Sequence, residues 1–168
     1  ATGVKGSKFG LPIENPHTVE LIQKMSTSPF ATFQGLHCHI GSQVLDFNAY
    51  TDALNQLVSF IALLKKDNIA VNYLNIGGGL GVDQTIPSQH LIGKWVEHVS
   101  QALVTLCAKE SLDLPELMIE PGRSIISESG CTLYRIGTIK ETDEVTIVAV
   151  QGGMSDNIRP ALLGAHYD

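Results

Sequence analysis

Three short segments of the chain end in residue types that do chemistry. His37-Cys38-His39-Ile40-Gly41-Ser42 carries two imidazoles and a hydroxyl, Gly77-Gly78-Gly79 is a run of bare backbone, and Glu120-Pro121-Gly122-Arg123 joins a carboxylate to a guanidinium. Glycine amides can approach an anion closely and wrap it as a nest. Ser42 adds a hydroxyl donor, and Gly122 with Arg123 adds a further bare amide and a fork suited to phosphate or carboxylate. A tight turn with close helix–strand packing is the other use of the triplet. It is not a Walker A loop, since no Lys-Ser/Thr pair follows. Nor is it GxGxxG, since Gly77-Gly78-Gly79-Leu80-Gly81 has the wrong spacing. Glu120, pinned by Pro121 at the end of an apolar run, is the most telling side chain. Beside phosphate donors its carboxylate suits a protonated ring nitrogen; the plainer use is an ion pair with Arg123 or another cation.

His37 and His39, two apart on a strand, fall on one face. An H-x-H metal site of the hydrolase kind is one reading, but it needs further ligands from later strand ends. Those ends carry glycines and Glu-Pro-Gly-Arg, while His17, His90, His98 and His166 fall in helical or loop contexts. The reading preferred is therefore no metal, with His39 offering a flat ring to a flat ligand and His37 packing or hydrogen-bonding behind it.

The elements that must position these residues alternate between strand and helix. Asn15-Pro16 marks a helix start, with Asn as N-cap and Pro in the first turn, ahead of the stripe Val19, Ile22, Met25. Phe30 to Ile40 reads as a mostly buried strand. Asp46 is placed to cap a helix whose Phe47, Tyr50, Leu54, Leu57, Phe60/Ile61 and Leu64 recur every three to four residues, with Lys65-Lys66 in its last turn. Val71 to Ile76 is a second strand. A loop with Pro87 leads to the stripe Leu91, Trp95, Val99, Ala102/Leu103, Leu106, and Leu117 to Glu120 is a third strand. Strand–helix–strand with short links predicts parallel pairing in an α/β layer, whose ligands sit at the carboxyl ends of the strands. After Ser124 the pattern changes: Cys131 to Lys140 and Val145 to Val150 read as an antiparallel pair turning at Glu141 to Glu144, which puts a domain boundary near residue 128.

Composition narrows the class. The 168 residues are 43% apolar and 17% charged, enough for a real core. A net charge of −6, with 11 Lys+Arg against 17 Asp+Glu, argues against nucleic acid or an anionic membrane as partner. No apolar run reaches the roughly 20 residues of a membrane helix. The first residues show no signal-peptide pattern, so a cytoplasmic chain is expected. Cys38, Cys107 and Cys131, odd in number and without CxxC, are expected to be buried reduced thiols. The lack of an initiator Met and the end at Ala165-His166-Tyr167-Asp168 read as a fragment, which alone would expose raw strand edges and be unstable.

These motifs resemble those of the diaminopimelate decarboxylases. The resemblance rests on Ser7-Lys8-Phe9-Gly10-Leu11, the stretch Phe33 to Gln43, Asn75 to Gly81, Glu120 to Ser124, and Gly152 to Leu162, in the family's order across essentially the whole chain. The last segment sets this family apart from the ornithine and arginine decarboxylases. The resemblance implies part of an alanine-racemase-like (β/α)8 barrel over residues 1–128, the start of a β domain over 129–168, and pyridoxal phosphate as cofactor. It further implies decarboxylation of meso-2,6-diaminopimelate to L-lysine in a homodimer with shared active sites.

Residue by residue, the same resemblance gives Ser42, Gly77, Gly78, Gly79, Gly122 and Arg123 to the phosphate, with Pro121 beside them. His39 would lie on the pyridine ring, and Glu120 would pair with its nitrogen. Arg123 and Arg159 would meet the substrate's distal carboxylate. The cofactor-bearing lysine is expected upstream of residue 1 and the cysteine–glutamate segment beyond Asp168. Two positions depart from the family: Gln151 stands where it has Asp, and Leu163 where it has Tyr. A hydroxyl lost from a charged contact costs about 1.5–3 kcal/mol. The alternatives are a non-catalytic pyridoxal-phosphate-binding homologue, a decarboxylase of a related basic amino acid, and the H-x-H metal hydrolase.

Overall fold

The structure is a computed structural model that describes residues 7–83 and 88–164; the first six residues, the Pro87 loop, His166 and the side chain of Leu163 lie outside them. The chain divides into two compact units, Ala1–Glu128 and Ser129–Asp168.

The first unit is a mixed α/β layer. Helix α1 spans Pro16–Ser26, and Asn15 caps it by accepting the His17 amide on its side chain. Strands β1 (Gly35–His37), β2 (Tyr73–Asn75) and β3 (Glu116–Met118) form a parallel sheet in the order β1-β2-β3. Helices α2 (Asn48–Lys66) and α3 (Ser88–Lys109) are the crossovers that parallel strands require. Asp46 Oδ1 accepts the Asn48 amide, so it caps α2 from two residues before the first helical position. Lys65, in the last turn of α2, donates to the Ser111 carbonyl at 2.7 Å.

The apolar stripes become the core. Tyr50, Leu54, Leu57, Val58 and Ile61 of α2 meet Leu91, Trp95, Val99, Leu103 and Cys107 of α3 over Leu74 and Ile76. Tyr50 and Trp95 pack edge to face with ring centroids 5.2 Å apart. A smaller cluster of Ile22, Phe60, Leu64 and Ile69 ties α1 to the outer side of α2. Of the α1 stripe, Ile22 is buried and Val19 half-buried, but Met25 is exposed. Trp95 Nε1 and Ser124 Oγ are buried side-chain atoms with no hydrogen-bond partner among the described residues.

The strands are shorter than their apolar runs. Phe30, expected inside a buried strand, is 96% exposed, and β1 begins only at Gly35. The reason lies in pairing: residues 29–34 have no neighbouring strand, the Phe30 amide turns back to Ser28 Oγ at 3.1 Å, and the Gln34 carbonyl accepts the Asn72 and Tyr73 amides. A four-residue helix α4 (Arg123–Ile126) starts where the strand pattern stops, and it packs on α3.

In the second unit β4 (Ile136–Glu141) and β5 (Thr146–Val150) pair antiparallel, with a register shift between Ile136 and Thr138. Thr142 closes the turn, both its amide and its hydroxyl donating to the Val145 carbonyl. Helix α5 (Arg159–Leu163) ends in the left-handed Gly164. Cys38 is half-buried and Cys107 buried, but Cys131 is exposed, against the expectation of a buried thiol; it sits ahead of β4 in a unit whose described side chains are almost all exposed. No described helix is long and apolar enough to cross a membrane.

Candidate active site

The sheet register decides which side chains meet. His37, Asn75 and Met118 stand opposite one another across the three strands, so their side chains share a face, and Glu120, two residues past Met118, returns to it. Ladder bonds continue past the formal strand ends: Cys38 N–H to Asn75 O at 2.9 Å, Ile76 N–H to Met118 O at 3.1 Å and Glu120 N–H to Gly77 O at 2.8 Å. The loops beyond are tied as well. Val44 N–H donates to Gly79 O and Gly81 N–H to Val44 O, each at 2.9 Å. Gln43, at φ +61, holds Val82 by both its amide and its carbonyl.

The triplet glycines are set by this close stitching. A Cβ on Gly78 would stand 2.1 Å from the Glu120 carbonyl oxygen, and one on Gly79, at φ +89, 2.1 Å from that of Gly41. Gly77, at φ +69, would meet the Cys38 carbonyl at 2.6 Å. Two of the three amides already have partners: Gly77 N–H donates to Asn75 Oδ1 at 2.8 Å and Gly78 N–H to His39 Nδ1 at 3.3 Å. Tight packing is thus a first use of the triplet. Gly122 is different, since a Cβ there would meet nothing within 4 Å. Its lack of a side chain leaves space open at the start of α4.

Around these loops the charged groups sort into pairs. Asn75 Nδ2 donates to Glu120 Oε1 at 2.7 Å, and His37 Nε2 lies 3.6 Å from Glu120 Oε2. Arg123 does not pair with Glu120; its guanidinium donates to Ser42 Oγ at 3.4 Å. His39 accepts the Gly78 amide on Nδ1, so a neutral ring carries its proton on Nε2 and is held in orientation. The two imidazoles of the H-x-H pair therefore serve different neighbours, and among the described residues no group of three or more His, Cys, Asp or Glu is placed to hold a metal.

The floor is uncharged. Tyr50, 1% exposed, donates its hydroxyl to the Gly78 carbonyl at 3.1 Å. Burial first, and the neighbouring Cys38 second, push the Tyr50 phenol up to about 12; burial pushes the Cys38 thiol up to about 11. Both stay protonated at neutral pH.

The structure thus gathers His37, His39, Ser42, Gly77, Gly78, Gly79, Glu120, Pro121, Gly122 and Arg123 at the carboxyl ends of β1–β3. Arg159 lies in the second unit, as the first residue of α5. Asn75, Tyr50 and Gln43 are the contributors that residue-type reasoning passes over. Only Asn75 leaves a trace, as a polar residue ending an apolar strand.

Residues 1–127 match the family described as pyridoxal-dependent decarboxylase, pyridoxal binding domain. A diaminopimelate decarboxylase of Staphylococcus aureus is 39% identical over 172 residues, covering 99% of this chain and 39% of the relative. That of Bacillus subtilis is 38% identical over 99% of this chain and 39% of the relative. The crystal structure of diaminopimelate decarboxylase from M. jannaschii in co-complex with L-lysine superposes with a TM-score of 0.86 at 32% identity, over 99% of this chain and 38% of that one. The chain therefore spans about two fifths of the length of these relatives. Matched over most of its length and alike in fold, it belongs to the pyridoxal-dependent decarboxylases.

Proposed function

We propose that the chain is the central part of a diaminopimelate decarboxylase, which releases CO2 from meso-2,6-diaminopimelate to leave L-lysine. The observation that carries this reading is Glu120, hydrogen-bonded by Asn75 and with His37 at 3.6 Å at the strand ends, while Arg123 turns to Ser42. A carboxylate kept apart from the nearest guanidinium is available to a cationic ring nitrogen. The M. jannaschii relative bound to L-lysine supports the product.

The residues present fit pyridoxal phosphate. Arg123 and Ser42 form a donor pair beside Gly122, where a Cβ would meet nothing within 4 Å, an opening that suits a phosphate. Gly77, Gly78 and Gly79 shape the adjoining wall, and Pro121 directs the chain from Glu120 to Gly122. His39 offers the flat ring an imidazole held by the Gly78 amide, and Glu120 a carboxylate to its nitrogen. When bound, the cofactor supplies an electron sink for the bond to the departing carboxylate. The protein's share is to keep the ring nitrogen protonated through Glu120, to fix the ring through His39, and to anchor the phosphate. Arg123 and Arg159 are assigned to the substrate's distal carboxylate. The domain division at 128/129, the homodimer and a cytoplasmic location belong to the same reading, supported by the resemblance to the family.

A full-length enzyme carrying this segment, given carboxyl-labelled meso-diaminopimelate and pyridoxal phosphate, releases labelled CO2 and yields L-lysine stoichiometrically. Release from ornithine or arginine instead would transfer the chain to a related basic-amino-acid decarboxylase. Cofactor uptake with no release from any of the three would make it a binding homologue.

A further inference from the structure

Glutamate reaches its carboxylate through three rotatable bonds, so one hydrogen bond leaves the group free to swing about that contact. Glu120 is open to such motion: its side chain is 56% exposed at the strand-end face. Asn75 holds Oε1 at 2.7 Å, and the Asn75 amide is itself fixed, because its Oδ1 accepts the Gly77 amide and its Nδ2 must then face Glu120. The second oxygen, Oε2, meets His37 Nε2 at 3.6 Å. That is longer than a hydrogen bond but within charge-pairing distance.

His37 is brought there by register rather than by chance approach. It stands directly opposite Asn75 across the β1–β2 pair, so the same sheet row delivers both neighbours of the carboxylate. Arg123, the guanidinium nearest in sequence, is occupied with Ser42.

We propose that His37 is a positioning residue. From β1 it closes the second side of the Glu120 carboxylate, which Asn75 holds on the first, and so fixes that carboxylate's orientation. It touches neither cofactor nor substrate and acts only through Glu120. This deepens the decarboxylase reading and rests on it.

The test is a double-mutant cycle on the full-length holoenzyme, with His37→Phe, Glu120→Gln and the pair. In the wild-type background His37→Phe lowers kcat about tenfold, with KM and cofactor dissociation constant within about twofold. In the Glu120→Gln background the same change alters kcat less than about twofold. The visible absorption band of the resting holoenzyme moves in His37→Phe toward its position in Glu120→Gln. His37→Gln, which keeps an N–H donor at similar reach, recovers most of the lost rate. Equal losses in both backgrounds, an unshifted band, or a rise in KM without a fall in kcat overturns the proposal. Should His37→Phe fail to fold, His37→Ala is read by the same criteria. A wild type that takes up no cofactor removes the decarboxylase reading itself, whereas an active wild type with an indifferent His37→Phe removes only the positioning role.

Discussion

Glu120→Gln lowers kcat for decarboxylation by about 10²–10³-fold while cofactor retention stays within a few-fold. The substitution keeps size and shape, and the glutamine carbonyl can still accept from Asn75 Nδ2 where Glu120 Oε1 does at 2.7 Å. What disappears is the negative charge. A carboxylate beside a ring nitrogen favours its protonated form by direct pairing, and the neutral amide does not. Phosphate binding draws on Arg123, Ser42 and Gly122, none of which is hydrogen-bonded to the Glu120 side chain. Steady-state kinetics with equilibrium dialysis of the cofactor separates the two effects. Comparable losses in rate and retention would assign Glu120 to cofactor anchoring instead.

Gly79→Ala is the second large effect, and it acts on structure. The residue sits at φ +89, and a Cβ there would lie 2.1 Å from the Gly41 carbonyl oxygen. A backbone of that kind costs a non-glycine residue about 1–3 kcal/mol. The clash adds about 1–3 kcal/mol, because the obstructing atom is main chain and cannot rotate away. The loop it strains is the one pinned by Val44 N–H to Gly79 O, next to Ser42. The expected outcome is a loss of about 2–6 kcal/mol in chemical denaturation, with cofactor affinity reduced at least tenfold. Gly122→Ala provides the contrast: with nothing within 4 Å of its Cβ, it leaves stability unchanged and weakens only cofactor binding. Equal stability for Gly79→Ala and the wild type would show that the loops can separate at little cost.

The helices were open to reading because their signal is local. Tyr50, Leu54, Leu57, Ile61 and Leu64 recur at helical spacing whatever they pack against, and all of them are buried. Parallel pairing followed from the alternation of strand and crossover. Strand length did not, because it depends on a neighbour: Phe30 looks like a strand residue and lies exposed where no partner strand runs. In the site, residue types pointed to Glu120, Arg123 and Ser42, but their pairing is a matter of register. The neighbours Arg123 and Glu120 have different partners, while Asn75 and Glu120, 45 positions apart, share a hydrogen bond. Tyr50 reads only as a core aromatic, since nothing in helical spacing reveals that its hydroxyl ends at the Gly78 carbonyl.

The proposed function stands on pyridoxal phosphate being held at these strand ends. Its most direct test is the visible absorption spectrum of the full-length enzyme, before and after borohydride, followed by mapping of the reduced adduct. The expected result is a visible cofactor band that borohydride abolishes, leaving the cofactor covalently fixed to one lysine. Arg123→Ala, which removes the guanidinium donating to Ser42, weakens cofactor retention by at least tenfold. A protein that takes up no pyridoxal phosphate on reconstitution, or one whose retention is indifferent to Arg123, would contradict it.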